Sequence, residues 1–393
     1  MKYKMTIEPL SVLADIQTGP FGSQLHKEDY AETGTPIVTV EHLGNKRFST
    51  QNLPLVSDED RIRLSKYLLQ EGDIVFSRVG SVDRCSFVSK EFDGWLFSGR
   101  CLRVRANERI DPEYLYYYFT LESTKQFVRG IATGATMPSI NTKFMGEIPI
   151  NVPSLKRQAQ IASIFRSLDI KIELNNRIND NLLQQAMAQF VQTFIENPPC
   201  GERRTLYDFA EYINGAAFKQ DDYSAFGLPI IRIAELKNGI TDSTQFFAGD
   251  KGDKYLVHDK DILFSWSGNP NTSIDIYIWA SGDAVLNQHT FNVKSKEGFR
   301  WFMYLMLKSF KPQFAQIASN KQTTGLGHVT VADLKRLSFI YNRDEIASFE
   351  EMIGPTMELV FNNMLENHSL FSLRDAVLPK LMSGELDVSD LDL

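Results

Sequence analysis

The sequence predicts an α+β protein: two tandem α/β domains separated by two long antiparallel coiled-coil helices, pseudo-twofold symmetric as a whole. Three observations carry this. A strand motif recurs late in the chain together with its neighbours. The texture alternates twice between β-rich stretches broken by Gly, Asn, Asp and Pro and stretches with almost no glycine. In the glycine-poor stretches, apolar residues follow steps of three and four, which places them on one stripe of a helix.

A duplication organises the chain. Gly72-Asp73-Ile74-Val75-Phe76-Ser77-Arg78-Val79-Gly80 is echoed by Lys260-Asp261-Ile262-Leu263-Phe264-Ser265-Trp266-Ser267-Gly268, 188 residues later. Pro36–Val40 recurs as Pro229–Ile233, Ile131-Ala132 as Ile317-Ala318, and Gln160–Ser163 as Glu345–Ser348. The order is kept and the offset drifts by only a few residues. The unit is about 190 residues long, a tandem duplication and not a solenoid repeat.

The first domain, 1–153, holds short strands at Val38–Val40, Asp73–Phe76 and Leu102–Val104. An aromatic helix follows Pro112, from Tyr114 to Phe119. Its rings invite a base-stacking reading, but core packing is favoured. The central helix, 154–197, carries Ile161, Ile164, Leu168, Ile172, Ile178 and Leu182 on its seam, interrupted near Asn175. At 1.5 Å per residue its 44 residues would span roughly 65 Å. The second domain, 198–342, repeats the pattern with strands Ile230–Ile233, Asp261–Phe264 and Ile276–Ile278 and an aromatic helix around Trp301–Leu307. The distal helix, 343–385, places Ile346, Phe349, Ile353, Met357, Val360, Met364, Phe371 and Leu378 on its seam, with one polar position at His368. Gly354-Pro355 predicts a kink or restart there. An acidic tail, 386–393, closes the chain.

Composition bounds the function. The 393 residues hold 42 Lys+Arg and 49 Asp+Glu, for a net charge of −7, with 43% hydrophobic residues. This excludes a disordered or fibrous chain and argues against a general nucleic-acid coat, which needs a basic excess. A local basic face remains compatible with it. Cys85, Cys101 and Cys200 are too few and scattered for a disulfide framework or a zinc site. The longest apolar run, Trp301–Leu307, is far short of a membrane span. No signal-peptide core stands at the start, so the expected location is cytoplasmic.

The alternative is an enzyme: an adenine methyltransferase or nuclease with its own active site. Asn197-Pro198-Pro199-Cys200 is similar to the Asn/Asp-Pro-Pro-aromatic motif of amino-group methyltransferases, but Cys200 cannot stack a flipped base. Helix termination explains the prolines. Asp222 with Glu235-Leu236-Lys237 loosely matches the carboxylates and lysine of metal-dependent nucleases. The first repeat has Glu41-His42-Leu43 there, so the lysine is not duplicated. No histidine pair has metal-ligand spacing, and no Gly-Lys-Ser/Thr phosphate loop occurs. The expectation is no catalytic, cofactor or metal site in this chain.

Several segments resemble one family. Pro153–Ala162 is similar to the start of the central conserved region in type I restriction–modification specificity subunits, and Ile172–Asn176 to its continuation. Leu373-Arg374-Asp375 and Leu378–Leu386 resemble the distal conserved region. Gly72–Arg78 resembles a strand of that family's target recognition domains. One departure is that Tyr341–Glu345 lacks the proline pair usual at the second helix start. The resemblance implies that each domain reads one half of a bipartite double-stranded DNA target while the helix pair sets the gap. It also implies two methyltransferase subunits and nuclease-translocase subunits as partners. S-adenosylmethionine, ATP and magnesium would be held there, with no cofactor in this chain.

Base readout needs forked or amide side chains on loops, and phosphate contact needs Lys, Arg or small donors. In domain one the candidates are Arg78, Ser81, Arg84, Arg100, Thr133, Thr136 and Lys143. In domain two they are Trp266, Asn269, Asn271, Gln288, His289, Lys321, Thr323 and His328. Charge supports this placement. Residues 1–153 hold 18 basic and 19 acidic side chains, 198–342 hold 16 and 15, and 343–393 hold 3 and 11. The acidic excess therefore lies in the last helix and tail, which is expected to face partner protein or solvent.

Overall fold

The computed structural model describes residues 5–20, 24–44, 46–134, 136–241, 243–322 and 326–388. The chain forms two compact units: Met1–Ile170 with Ser372–Leu393, and Lys171–Phe371. In the first unit Thr6–Pro9 pairs antiparallel with Pro149–Val152. An antiparallel four-stranded sheet runs in the order Ala14–Thr18, Cys101–Ala106, Ile74–Ser77, Cys85–Phe87. A smaller sheet orders Tyr30–Ala31, Leu55–Val56, Thr35–Val38 and Leu96–Phe97, the last two parallel.

The repeated strand motif has a direct physical reading. Side chains alternate faces along a strand. Ile74 and Phe76 enter the core beneath the helices, and Val75 enters the core of the smaller sheet. The strand is buried on both sides, so it is apolar without alternation. The Asp before it closes the entry turn. Buried Asp73 accepts from the backbone N–H of Gln70 at 2.8 Å and pairs with Arg105 at 2.7 Å. In the second unit Asp261 accepts from the N–H of His258 at 3.0 Å and pairs with Lys294. The residue preceding each Asp has positive φ, +91° at Gly72 and +71° at Lys260, which the turn imposes.

The second unit repeats the first. Glu202–Thr205 pairs with Ser338–Tyr341. The larger sheet orders Ala210–Asn214, Thr290–Ser295, Ile262–Ser265 and Asp275–Ile278. Matched registers fix the equivalence, with Ser77 opposite Cys101 in one unit and Ser265 opposite Thr290 in the other. The predicted strands are present with shifted bounds. Val38–Val40 and Ile230–Ile233 end early: the first strand stops at Val38 before a 3₁₀ turn at Val40–His42 whose entry His42 caps, and the second stops at Ile231 before a helix at Ile233–Asn238.

The aromatic helices are structural. Asp111 caps Pro112–Thr120 by accepting from the N–H of Tyr114 at 2.9 Å. All six residues Tyr114–Phe119 are at most 8% exposed, and Trp301–Leu307 are likewise buried. No ring there is open to a base. Cys85 and Cys101 are buried, and burial pushes both thiols up to about 12, while Cys200 is exposed.

The long helices are Leu155–Phe190, followed by a wider π turn at Val191–Glu196, and Arg343–Met382. The first has 36 residues, about 54 Å and shorter than the roughly 65 Å expected. The second runs through Gly354-Pro355 without restarting. Buried Ile353 and Met357 on either side hold that segment against the core.

Within each unit the two helices pack antiparallel. In the first, Ile161, Ala162 and Phe165 share a core with Leu378, Leu381 and Met382. In the second, Ala186 and Phe190 share one with Phe349, Ile353 and Met357. The seam differs from the predicted stripe in its polar layer. Ile178 is 44% and Phe371 40% exposed, so neither is buried in the seam. Leu183, not Leu182, packs on the second core. His368 is exposed, and the buried polar position is Asn367. Asn175, Asn179 and Asn367 are all buried. Asn175 Nδ2 donates to Asn367 Oδ1 at 2.9 Å, and Asn363 Nδ2 to Asn179 Oδ1 at 2.8 Å. The interruption near Asn175 is thus part of the seam. Among the described residues no helix is long and apolar enough to cross a membrane.

Candidate nucleic-acid interface

In the first unit, three loops meet where the strand Ile74–Ser77 ends. The excursion 78–83 is closed by the Ser77 N–H donating to Arg84 O at 2.9 Å, and the Ser77 hydroxyl donates to Val79 O at 2.7 Å. Gly80, at φ +75°, donates its N–H to Pro138 O at 2.8 Å. Thr133 and Ser139 exchange backbone bonds at 2.8–2.9 Å. This closes a turn where Gly134, at φ +104°, has no room for a Cβ because Met137 O would lie 2.7 Å away. Ile140 N–H donates to Arg78 O, and Arg78 N–H to Arg100 O. Backbone bonds tie the three loops to one another, with the Arg78 side chain adding one bond to Gly99 O, so most of the loop side chains vary without unfolding the platform.

Ser81, Arg100, Thr133 and Thr136 are exposed on these loops. Arg78 is half-buried, with Nη1 donating to Gly99 O at 3.1 Å. Arg84 lies on a neighbouring turn: its guanidinium fills the place of a Cβ on Gly44, at 2.8–2.9 Å. Lys143 is exposed on the short helix Thr142–Gly146, which Asn141 caps.

The second unit builds the same platform. Val329 N–H donates to Trp266 O at 2.8 Å, matching Ile140 to Arg78, and Ser267-Gly268 pairs with Gly327-His328. Here the loops carry an aromatic and amide cluster. Trp266 Nε1 donates to Asn214 Oδ1 at 3.1 Å, and its ring lies 5.8 Å from that of His289. Gln288 Nε2 lies 3.2 Å from His289 Nε2. His328 is half-buried beside Ser267. Asn271 is exposed, and the Asn269 carbonyl accepts from the N–H groups of Asn271 and Thr272, so that oxygen serves its own turn.

One candidate is displaced. Lys321 is half-buried and ion-paired with Asp333, which also caps its helix by accepting from Thr330. Burial pushes the Asp333 carboxyl up, but Lys321 and Thr330 outweigh it and hold the group below the usual carboxylate range. The pairing holds the Lys321 ammonium against Asp333. Thr323 lies outside the described residues. Asn214 was not predicted, because it sits at a strand end and only the fold brings it to Trp266.

The residues of the nuclease-like pattern have other partners. Glu235 is buried, caps its helix at the Arg232 N–H and pairs with Arg232. Asp222 pairs with Lys251 at 3.0 Å. At the acidic end, Asp387 pairs with Arg157 and Val388 joins the first unit's core, so the tail up to residue 388 packs on its own chain.

The sequence matches the family described as the type I restriction modification DNA specificity domain twice, over residues 10–184 and 202–343. It is 24% identical to the type I restriction enzyme MjaIX specificity subunit of Methanocaldococcus jannaschii over 313 residues, 72% of this chain and 71% of that one. It is 21% identical to the type I restriction enzyme HindI specificity subunit of Haemophilus influenzae, across 82% of this chain and 88% of that one. The fold is similar to that of the crystallised type I restriction-modification S subunit from M. genitalium. The TM-score is 0.54 at 14% identity, covering 97% of this chain and 96% of that one.

Proposed function

Because the chain belongs to the type I restriction–modification DNA specificity family, we propose that it is the address reader of a type I complex, each unit recognising one half of a bipartite double-stranded DNA target. The observation that carries this is one backbone platform built twice with different side chains. Arg78 and Arg100 stand in one copy where Trp266 and His289 stand in the other. The long helices fix the gap between half-sites, since each contributes residues to both units.

Two methyltransferase subunits and nuclease-translocase subunits complete the assembly, and it acts on DNA in the cytoplasm. S-adenosylmethionine, ATP and magnesium belong to those subunits, and this chain has no catalytic role. The carboxylates of the nuclease-like pattern support this, being committed to caps and ion pairs.

The test is methyl transfer from labelled S-adenosylmethionine to DNA. The purified chain alone should transfer nothing, and adding its methyltransferase subunits should methylate a bipartite sequence. Transfer by the isolated chain would restore the enzyme reading. Methylation of scattered sites by the assembled complex would remove the address-reader reading.

A further inference from the structure

The paired registers identify one position at which the two units differ in hydrogen-bond chemistry. Cys101 and Thr290 open equivalent strands, opposite Ser77 and Ser265. The residues just before them, Gly99-Arg100 and Gln288-His289, therefore occupy the same place at the platform edge. In the first unit the backbone there is pinned by Arg78, whose N–H donates to Arg100 O at 2.8 Å and whose Nη1 donates to Gly99 O at 3.1 Å. The Arg100 side chain is exposed beyond that pin. Both units close this place with the same backbone bond, Cys101 N–H to Ser98 O at 2.9 Å and Thr290 N–H to Asn287 O at 3.2 Å, but in the second unit Trp266 lies beside the His289 ring in place of the Arg78 side-chain pin.

Resting on the reading above, we propose that this position is specificity-determining in both units. Arg100 selects guanine in the first half-site, and Gln288 selects adenine in the second, with His289 as its positioning residue. An arginine fork offers only donors and matches the two major-groove acceptors of guanine, O6 and N7. A glutamine amide presents an N–H donor beside a carbonyl acceptor, which fit adenine N7 and N6. With Gln288 Nε2 at 3.2 Å from His289 Nε2, the ring takes one of the two amide hydrogens and leaves the other, together with Oε1, for the base. Gly99, the counterpart of Gln288, has no side chain to compete with Arg100.

The test is methylome sequencing of a host expressing the full chain with its own methyltransferase subunits, wild type against Arg100→Ala, Arg100→Lys and Gln288→Ala. Arg100→Ala should lose roughly tenfold to hundredfold of the discrimination at one guanine of the first half-site, leaving the second half-site unchanged. Gln288→Ala should do the same at one adenine of the second. Arg100→Lys should also relax the guanine, because lysine keeps the charge but not the fork. Full retention of specificity in Arg100→Lys would make Arg100 a phosphate contact and overturn the guanine assignment. If a variant complex gives no methylation, binding to duplexes differing at that base pair decides, with thermal unfolding at the wild-type temperature as the control for folding. Equal affinities support the proposal, and a retained preference overturns it. A wild-type complex with no bipartite motif would overturn the address-reader reading itself, whereas unchanged motifs in all three variants would overturn only this inference.

Discussion

Tyr117 shows how a single buried hydroxyl ties the aromatic helix and Lys46 to a long helix. Its O–H donates to Asp169 Oδ2 at 2.6 Å and accepts from Lys46 Nζ at 2.6 Å. Lys46 also lies 3.3 Å from Glu113 and from Asp169. Burial, and after it the Asp169 charge, pushes the phenol well above its usual range, so it remains a donor at every working pH. Tyr117→Phe keeps the ring packing and deletes only this relay. It should destabilise the chain by about 1–3 kcal/mol, measured by chemical denaturation, and an unchanged midpoint would show that the hydroxyl is replaceable by water. At this scale legibility was uneven. The exposed loop positions of Arg100 and His289 are readable in the sequence because both residues border repeated strands. Lys321 had the same local context, yet Asp333 captures it from the far side of the loop. Sequence spacing contains nothing of that pairing, nor of the hydrogen bond that brings Asn214 to Trp266.

The helix seam sets the corresponding lesson for elements. Steps of three and four located both helices, and the apolar residues at their ends, such as Ile161, Phe349 and Leu378, are buried as the steps imply. Periodicity treats every seam position as apolar, however, and so it placed Ile178 and Phe371 inside. The middle of the seam is a ladder of amides instead. Asn175 donates to Asn367, Asn367 Nδ2 donates to Asn176 Oδ1 at 2.9 Å, and Asn179 Nδ2 donates to Val360 O at 3.2 Å. Buried amides paired across the seam make a slipped register costly, as a single buried Asn does in a coiled coil. Asn367→Leu alone should cost about 1–3 kcal/mol, because it removes one acceptor of the buried Asn175 amide and the donor to Asn176. Adding Asn175→Leu should recover most of that loss, since apolar groups then meet across the seam. Denaturation of both single variants and the double variant checks this, and additive losses would show that the two amides act independently.

The whole molecule was the most legible scale, because a duplication with a nearly constant offset survives divergence that hides individual contacts. Matched strands such as Ile74–Ser77 and Ile262–Ser265 anchored both copies at once. The same scale carries the gap-setting role proposed for the helices. Residues 155–170 of the first long helix belong to one unit and 171–190 to the other, and the second helix divides between Phe371 and Ser372. Each helix residue adds 1.5 Å, so the number of residues, more than their identity, should govern the gap. Removing a matched seven residues from each helix, 168–174 with 368–374, deletes the Arg374–Asp169 pair together and leaves the Asn175 amide in place. Seven residues fall only about 20° short of two full turns, so the seam keeps its facing. The helices shorten by about 10.5 Å, roughly three base pairs of B-DNA. Methylome sequencing of the deletion complex should therefore return the same two half-sites with a gap shorter by about three base pairs. Both half-sites recovered at the original gap would end the gap-setting role for the helices while leaving base reading by the two units intact.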